Sequence, residues 1–205
     1  MAAVCLAVLA FGLIVHPAIA WLGLVAALFT LYFFRDPERI IIAKAGHIVA
    51  PADGKVVAID EVDETEYVGE RCKRVSIFLS ILDVHINRAP VSGQIGMIRH
   101  KPGRFALAHT LDASRSNECN MIGIKGDEMK VLVKQIAGAV ARRIICYCKP
   151  TQVVRTGERI GMIRFGSRTE VYLPRECQIL VSEGEKVKGG VSLIGVYDAA
   201  FTKKA

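Results

Sequence analysis

Several residues that can transfer protons lie close together in one short stretch of the sequence, Asp83–Arg88. It places Asp, His, Asn and Arg close together, directly after the apolar run Val75–Leu82. Histidine titrates near neutral pH and is the usual proton shuttle in proteins. If the strand continues past this run, alternation puts Asp83 and His85 on one face. Taken alone, the stretch is equally compatible with a surface turn that Asp83 caps.

Two further stretches contain a carboxylate and a hydroxyl that such a histidine could use. Asp53 lies in Pro51–Gly54, where Asp-Gly also supplies ordinary turn chemistry. Ser167 follows Gly166 within Arg164–Leu173, and a lone Gly-Ser pair is common in proteins. The G-x-S-x-G motif of a nucleophile elbow is absent from the sequence, which argues against a standard α/β-hydrolase.

The elements that would position these residues are predicted to be β-strands. Beyond residue 35 the chain consists of short β-type runs separated by Gly, Pro and Asp turns, and no segment there keeps a helical apolar period for long. The sequence therefore predicts a mainly β protein with a single β-sandwich or barrel-like domain. The clearest strands are Gly54–Asp60, Val75–Leu79, Gln94–Ile98, Met129–Ile136, Ile144–Tyr147, Ile160–Arg164 and Val191–Tyr197.

A weak internal repeat accompanies these strands. Its two copies are centred on Gly157 and Gly190, and in each copy a valine precedes the glycine and an Ile-Gly pair follows it. Each copy is typical of a strand, a glycine turn with positive φ and a returning strand. Such hairpins recur in lipoyl- and biotinyl-carrier domains, which present a lysine at a hairpin tip. Here the connection between the copies contains Gly166 and Ser167 instead.

The segment Met1–Phe34 differs from the rest of the chain, because it contains no Lys, Arg, Asp or Glu. A run of 18 or more apolar residues indicates a membrane segment, yet a straight helix over all of this segment would be about 51 Å long. Pro17 interrupts such a helix. The sequence predicts a hydrophobic membrane anchor over 1–34, and a span over Pro17–Phe34, a hairpin of two helices and a helix in one leaflet remain open. A signal peptide is disfavoured, because no basic region precedes Ala18–Ala20.

Basic residues indicate the location of the remaining domain and the class of molecule that it binds. Arg35, Arg39 and Lys44 follow the apolar segment, so the positive-inside rule predicts a cell-membrane location with residues 35–205 on the cytoplasmic side. The net charge of +7 suits anionic phospholipid headgroups, and no basic helix or interleaved aromatic stripe indicates nucleic acid. The six cysteines form no CxxC pair, so free thiols are predicted rather than disulfides or a metal site.

Four motifs, in their order and spacing, resemble those of a known family. They are Phe33–Pro37, Pro51–Gly54, Asp83–Arg88 and Phe165–Ser167. Together they resemble the phosphatidylserine decarboxylase family, especially its short prokaryotic form. The likeness runs through most of residues 33–197 and includes His100–Gly103, Asn117-Glu118 and Gln135–Gly138.

The resemblance implies a proenzyme that cuts itself between Gly166 and Ser167. The products are a β chain, 1–166, and an α chain, 167–205, which remain associated. Ser167 Oγ attacks the Gly166 carbonyl carbon, and the peptide bond becomes an ester. Loss of the α-proton then releases the Gly166 carboxylate and leaves dehydroalanine, which hydrolyses to a pyruvoyl group and ammonia.

The resemblance also implies the reaction, the cofactor and the residues that serve them. The pyruvoyl group forms a Schiff base with the amine of phosphatidylserine and accepts the electrons released as CO2 leaves, so phosphatidylethanolamine results without a metal. Asp53 and His85 would complete an Asp-His-Ser arrangement with Ser167 for the self-cleavage. His85 would serve again as proton donor in decarboxylation, and Asp83 is a weaker candidate. An ether-linked substrate, archaetidylserine, would present the same headgroup.

The sequence departs from the family pattern at two positions. Arg168 follows Ser167 where longer members often have threonine, and Arg88 stands where some members carry a second histidine. His85 is therefore the only histidine of its motif. Because arginine forks suit phosphate oxygens, Arg88 and Arg168 are candidate ligands of the lipid phosphate.

Two other functions compete with a membrane-attached pyruvoyl lyase. A membrane-anchored carrier or adaptor on a lipoyl-like sandwich predicts an uncut chain of 22.4 kDa. A membrane-bound serine hydrolase predicts a free Ser167 hydroxyl that reacts with fluorophosphonates. A homodimer is a further expectation, since exposed edges of β-sandwiches often pair.

Overall fold

The structure is a computed structural model that describes residues 2–103, 116–138, 143–164 and 167–197. The chain divides into two compact units, Met1–Pro37 and Glu38–Ala205. In the described residues, the first unit contains two helices and the second contains mainly strands. The mainly β fold predicted from the sequence is confirmed.

The first unit is a hairpin of two helices, α1 (Ala2–Val15) and α2 (Pro17–Phe33). His16 separates them and caps α2, because its Nδ1 accepts a hydrogen bond of 3.2 Å from the N–H of Ala18. Pro17 suits the first position of α2, where a backbone N–H has no partner within the helix. The predicted break in the apolar segment is therefore a helix end followed by a new helix start.

The two helices pack antiparallel, and small residues bring them together. A Cβ at Gly12 would overlap Ala20, and a Cβ at Gly23 would overlap Leu9. Many large apolar side chains of the hairpin face outward, among them Val4, Leu6, Phe11, Leu13, Trp21, Leu22, Val25, Leu28 and Leu31. Of the predicted alternatives, the structure contains the helical hairpin. No helix in the described part of the chain has the length and hydropathy of a membrane span.

The second unit contains fourteen strands in its described part. They are β1 (His47–Val49), β2 (Gly54–Glu64), β3 (Glu70–Leu79), β4 (Ile86–Arg88), β5 (Gly93–Lys101), β6 (Cys119–Lys125), β7 (Lys130–Ala137), β8 (Ile144–Cys146), β9 (Val153–Val154), β10 (Arg159–Ile163), β11 (Ser167–Pro174), β12 (Gln178–Ile179), β13 (Lys186–Val187) and β14 (Leu193–Val196). The seven strands predicted from the sequence correspond to β2, β3, β5, β7, β8, β10 and β14. The sequence did not predict β11.

The paired strands run antiparallel and form three sheets. A curled sheet of eight strands has the order β13-β2-β3-β11-β7-β6-β5-β9. Two sheets of three strands have the orders β1-β14-β12 and β4-β10-β8. Strand β11 is therefore central, with β3 on one side and β7 on the other.

Strand β11 is buried along its whole length, although its first four residues are polar. Ser167 and Thr169 share a face with Val171, which belongs to the main apolar core. Arg168 and Glu170 lie on the opposite face, and both are at most 1% exposed. A strand that buries polar residues on both faces lacks the alternating pattern by which half-buried strands are recognised.

The glycines of the internal repeat have the predicted conformation but not the predicted pairing. Gly157 and Gly190 have φ of +78° and +77°. Of the strands flanking Gly157, β9 pairs with β5, whereas β10 pairs with β4 and β8. Of those flanking Gly190, β13 pairs with β2, whereas β14 pairs with β1 and β12. The lipoyl-like hairpins are therefore wrong for the described strands, since each turn carries the chain from one sheet into another.

Candidate active site

Ser167 is the first residue of β11 and lies in the middle of the eight-stranded sheet. Its register partners are Leu79 on β3 and Ala137 on β7. The residue is fully buried, and its Oγ makes no hydrogen bond with any described residue. An unpaired buried hydroxyl costs about 1–3 kcal/mol, so its presence here requires an explanation. Gly166, the other half of the predicted cleavage site, lies outside the described residues.

His85 is fully buried and directly precedes β4, next to the end of β10. Its carbonyl oxygen accepts a hydrogen bond of 3.2 Å from the N–H of Ile163, just upstream of Ser167 in the sequence. Its Nδ1 lies 2.9 Å from the carbonyl oxygen of Asp83. Because a carbonyl oxygen can only accept, Nδ1 carries the proton, and the lone pair of the neutral ring is on Nε2. The ring is thus held in the tautomer that can remove a proton through Nε2.

Asp83 orients His85 through its backbone and uses its carboxylate to close a turn. The Oδ2 atom of Asp83 accepts a hydrogen bond of 2.8 Å from the N–H of Ser80. In return, the N–H of Asp83 donates to the carbonyl oxygen of Ser80 at 3.0 Å. This reciprocal pattern is a common structural use of aspartate.

Asp53 directly precedes β2, and both of its carboxylate oxygens have donors. Arg39 donates to the two oxygens at 2.6 and 2.7 Å, and the N–H of Gly189 donates to one of them at 2.8 Å. The structure therefore brings Asp53 together with Arg39, whereas the Nδ1 of His85 faces the carbonyl oxygen of Asp83. The predicted role of Asp53 beside His85 stays a prediction.

Part of the arrangement around Asp53 recurs in the other half of the repeat. Ser92 is the residue equivalent to Asp53. Asp53 and Ser92 each directly precede a glycine, and each of these glycines pairs with the valine of a repeated turn. Ser92 Oγ accepts a hydrogen bond of 2.9 Å from the N–H of Thr156, as Asp53 accepts one from Gly189. The backbone contact of Asp53 is therefore a feature of the repeated turn. The ion pair with Arg39, in contrast, requires the carboxylate.

A chain of buried polar side chains connects β4 to β11. Asn120 donates to Gln135 at 2.9 Å, and Gln135 donates to Asn87 at 2.7 Å. Asn87 in turn donates to the hydroxyl oxygen of Thr169 at 2.9 Å. None of the four is more than 3% exposed. Asn87 is two residues from His85, and Thr169 is two residues from Ser167. The amide chain therefore constrains the position of β4 relative to β11.

Comparison with known proteins gives the family. Residues 26–195 match the family described as phosphatidylserine decarboxylase. The chain belongs to the phosphatidylserine decarboxylase family. A phosphatidylserine decarboxylase proenzyme of Syntrophus aciditrophicus is 49% identical over 180 residues, which cover 87% of this chain and 84% of that protein. Proteins of the same name from Carboxydothermus hydrogenoformans and Symbiobacterium thermophilum are 46% and 45% identical, covering 85% and 95% of this chain and 84% and 90% of theirs.

A pyruvoyl group, which the phosphatidylserine decarboxylase family implies, is compatible with the surroundings of Ser167. Such a group is made from the serine itself, so its position would be that of the first residue of β11. The buried Oγ without a partner among the described residues fits the precursor. Strand pairing to Leu79 and Ala137 would hold the group in place. Across the described ranges, no group of three or more His, Cys, Asp or Glu side chains is arranged to hold a metal ion.

Arg168, one of the two arginines proposed as ligands of the lipid phosphate, lies on the face of the sheet opposite Ser167. It donates to the Oγ of Ser76 at 2.7 Å and pairs with the carboxylate of Glu170 at 2.9 Å. The sheet itself separates this guanidinium from the Ser167 side chain. The placement therefore favours a structural role, and phosphate binding by Arg168 stays a prediction that the geometry does not support.

Arg88, the other such arginine, is also buried, and it donates to the carbonyl oxygen of Gly157 at 3.0 Å. It lines a cavity of about 490 Å³ together with Arg155 and Arg159. Glu158 also lines it, so the wall of this cavity contains three arginines and one carboxylate. Phosphate binding by Arg88 stays a prediction, and the cavity is where it would occur.

Glu170 organises the face of the sheet opposite Ser167. Besides Arg168, it accepts a hydrogen bond of 2.7 Å from the hydroxyl of Tyr172 and lies 3.8 Å from the guanidinium of Arg74. Burial, followed by the negative charge of Glu170, raises the pKa of Tyr172, so the phenol stays protonated. A hydrogen bond to Asp60 is the main cause that raises the pKa of Arg74.

Two thiols lie next to the amide chain. The side-chain interaction between Cys146 and Cys148 lowers the pKa of Cys146, with a smaller contribution from Asn120, and it raises the pKa of Cys148. Burial raises the pKa of Cys72 and Cys177 to about 12. Cys146 is therefore the thiol with the strongest thiolate character among these four.

The sequence prediction missed the partners of the site residues. Arg39 was assigned only to the basic residues that follow the apolar segment, and Gln135 only to a family motif. Asn120 was not singled out at all. A signal does exist for the last two, because each is an amide within a mainly apolar β-type run. Such a residue on a core face must find a hydrogen-bond partner there.

Proposed function

We propose that this chain is a self-cleaving proenzyme that decarboxylates phosphatidylserine to phosphatidylethanolamine at a membrane surface. Its membership of the phosphatidylserine decarboxylase family supports the reaction. The observation that carries the proposal for this chain is the fully buried Ser167 hydroxyl, which has no partner among the described residues and begins a central strand. Ordinary structural serines on a core face pair their hydroxyl, as Ser76 does with Arg168.

In this proposal Ser167 and His85 divide the self-cleavage between them. Ser167 Oγ attacks the carbonyl carbon of the preceding residue, and the Nε2 of His85 takes the hydroxyl proton. The Nδ1–H of His85 stays on the Asp83 carbonyl oxygen, which keeps the ring oriented and stabilises its protonated form. The mature pyruvoyl group supplies the electron sink for the loss of CO2. His85 then provides a proton from the same nitrogen to the decarboxylated substrate.

The strand pairing supports the further proposal that the two chains stay together after cleavage. The α chain, 167–205, would contain strands β11 to β14. Strand β11 pairs with β3 and β7, β13 with β2, and β14 with β1, all of which belong to the β chain. Separating the chains would break both pairings of β11 in the middle of the eight-stranded sheet.

Membrane attachment is proposed for the helical hairpin, with the catalytic domain on the cytoplasmic side. The hairpin has no charged residue before Arg35 and exposes many large apolar side chains. Exposed apolar surface of this extent is unfavourable in water and typical of membrane contact. The proposed substrate is itself a membrane lipid, so attachment would bring the catalytic group to it.

Intact mass spectrometry of the purified chain tests the proposed cleavage. The expected result is one fragment spanning 1–166 and one spanning 167–205, with the shorter fragment blocked at its N-terminus. Ser167→Ala should remain uncut and release no CO2 from phosphatidylserine. Ser182→Ala, an exposed serine of the same fragment, is the matched control and should cut and react normally.

Two outcomes would overturn the proposal. A wild-type chain that stays whole and is labelled at Ser167 by a fluorophosphonate would indicate a serine hydrolase. A wild-type chain that stays whole and unlabelled would indicate a carrier or adaptor.

A further inference from the structure

The segment Glu38–Ala43 has two faces of opposite character. It is extended, and its residues alternate between inward and outward positions. Arg39 and Ile41 face inward. Ile40 and Ile42 face outward and are 84% and 85% exposed, compared with 74% for the outward-facing Leu13 of the hairpin.

The inward residues hold this segment firmly on the β domain. Arg39 binds both carboxylate oxygens of Asp53 and also donates to the carbonyl oxygen of Gly189 at 2.5 Å. Ile41 packs so closely against Gly157 that a Cβ atom added to this glycine would overlap the isoleucine side chain. The two outward isoleucines are therefore presented at a defined place and do not belong to a loose linker.

We propose that the outward face of this segment, Ile40 and Ile42, inserts into the interface of a phospholipid bilayer. The proposal rests on the membrane attachment proposed above and adds a second contact, made by the catalytic domain itself. Burying an exposed isoleucine is worth about 1.5–3 kcal/mol, so leaving two of them in water opposes stability and solubility. The segment also begins close to the apolar hairpin in the sequence, because Glu38 is the fifth residue after the end of α2 at Phe33.

The size of the patch favours a bilayer over a protein partner. Two isoleucine side chains offer roughly 200 Å² of apolar surface. A stable interface between two proteins needs about 800 Å² from each partner. A bilayer has no such requirement, because each apolar group that enters it contributes separately.

Membrane contact through Ile40 and Ile42 would bring the bilayer close to the candidate active-site residue Asp53. Arg39, which directly precedes Ile40, is the ion-pair partner of Asp53. A membrane that receives Ile40 and Ile42 therefore lies next to the residue that holds Asp53. The catalytic domain would be oriented by its own surface, and not only by the hairpin.

Quenching of tryptophan fluorescence by lipids with brominated acyl chains tests the proposal on the full chain. Trp21 is the only tryptophan in the sequence and reports on the hairpin in the unmodified protein. The double variant Trp21→Phe/Ile40→Trp reports on the segment. The matched control is Trp21→Phe/Thr65→Trp, because Thr65 is exposed at the far end of β2, roughly 35 Å along an extended strand from Gly54.

We expect vesicles of phosphatidylserine and brominated lipids to quench the fluorescence of Trp21 severalfold more than the fluorescence of the Thr65→Trp variant. The fluorescence of the Ile40→Trp variant should be quenched as strongly as that of Trp21. If Trp21 is quenched but the Ile40→Trp variant behaves like the Thr65→Trp variant, the proposal fails while attachment through the hairpin stands. If none is quenched, membrane attachment fails as well. A blue-shifted emission of the Ile40→Trp variant without lipid, unaffected by brominated chains, would show that protein covers the segment and would overturn the proposal.

Discussion

Arg39 donates hydrogen bonds to both carboxylate oxygens of Asp53, and the side chains of the two residues are only 9% and 13% exposed. This ion pair joins the segment after the apolar hairpin to the turn before β2. It also occupies the carboxylate that the family resemblance assigns to His85. If Asp53 takes part in self-cleavage, it does so while bound to Arg39 or after that pair has opened.

Replacing Arg39 should destabilise the β domain. Arg39→Met leaves the carboxylate of Asp53 in a largely buried position without its cation, so we expect the free energy of unfolding to fall by about 3 kcal/mol. Urea unfolding in a Ser167→Ala background keeps the chain uncut during the measurement. Arg155→Met removes an exposed arginine and should change the free energy by less than about 0.5 kcal/mol. Equal unfolding midpoints for the two variants would contradict this prediction.

His85 should control the rate of self-cleavage. His85→Gln cannot remove a proton, and general-base catalysis contributes about 10²–10⁴-fold, so cleavage should slow by that factor. The measurement is a time course of chain separation on a denaturing gel. His100, whose side chain is 53% exposed, provides the control, and His100→Gln should cleave at the normal rate. Cleavage of His85→Gln at the normal rate would show that His85 is not the general base of the self-cleavage.

Removing two members of the amide chain should cost less stability than the sum of the two single losses. Asn87→Leu leaves Gln135 without its acceptor and the hydroxyl of Thr169 without its donor, and each buried unpaired group costs about 1–3 kcal/mol. Gln135→Leu should cost a similar amount. We expect the double variant to be more stable than the sum of the single losses predicts, because it removes both partners of one hydrogen bond. Strict additivity in denaturant unfolding would show that the two side chains are not coupled.

Arg168 should affect stability and not substrate binding. Arg168→Met leaves Glu170 short of a partner at a fully buried position, so unfolding should become easier by about 3 kcal/mol. The KM for phosphatidylserine should stay within about twofold, because the side chain lies across the sheet from Ser167. Arg168→Met/Glu170→Met should regain part of the stability. A large rise in KM with unchanged stability would instead support phosphate binding by Arg168.

Cys146 should be alkylated faster near neutral pH than an ordinary thiol. Its pKa is lowered by the side-chain interaction with Cys148, so more thiolate is present at pH 7, and the alkylation rate should level off at a lower pH than usual. Cys148→Ala removes this side chain and should slow alkylation of Cys146 at pH 7. Peptide mapping after iodoacetamide treatment gives both rates. Cys72 and Cys177, whose pKa values burial raises to about 12, should remain unmodified and serve as internal references.

The sequence by itself determined the elements with a regular pattern and the residue types of the site. The charge-free segment Met1–Phe34, broken by Pro17, predicted the helical hairpin as one alternative. Seven strands with clear β-type runs are present, and the positive φ of Gly157 and Gly190 followed from their turn pattern. These features depend on local sterics and on solvent exposure along one segment, which is why they can be read from the sequence.

Only the tertiary structure decided which strands pair and which polar groups meet. Strand β11 was not predicted, because its polar residues are buried on both faces by partners far away in the sequence, such as Ser76 and Asn87. The pairing of Arg39 with Asp53 and the transfer of each glycine turn between two sheets arise in the same way. A buried polar residue is stable only with its partner, and that partner is selected by chain topology, not by neighbouring residues.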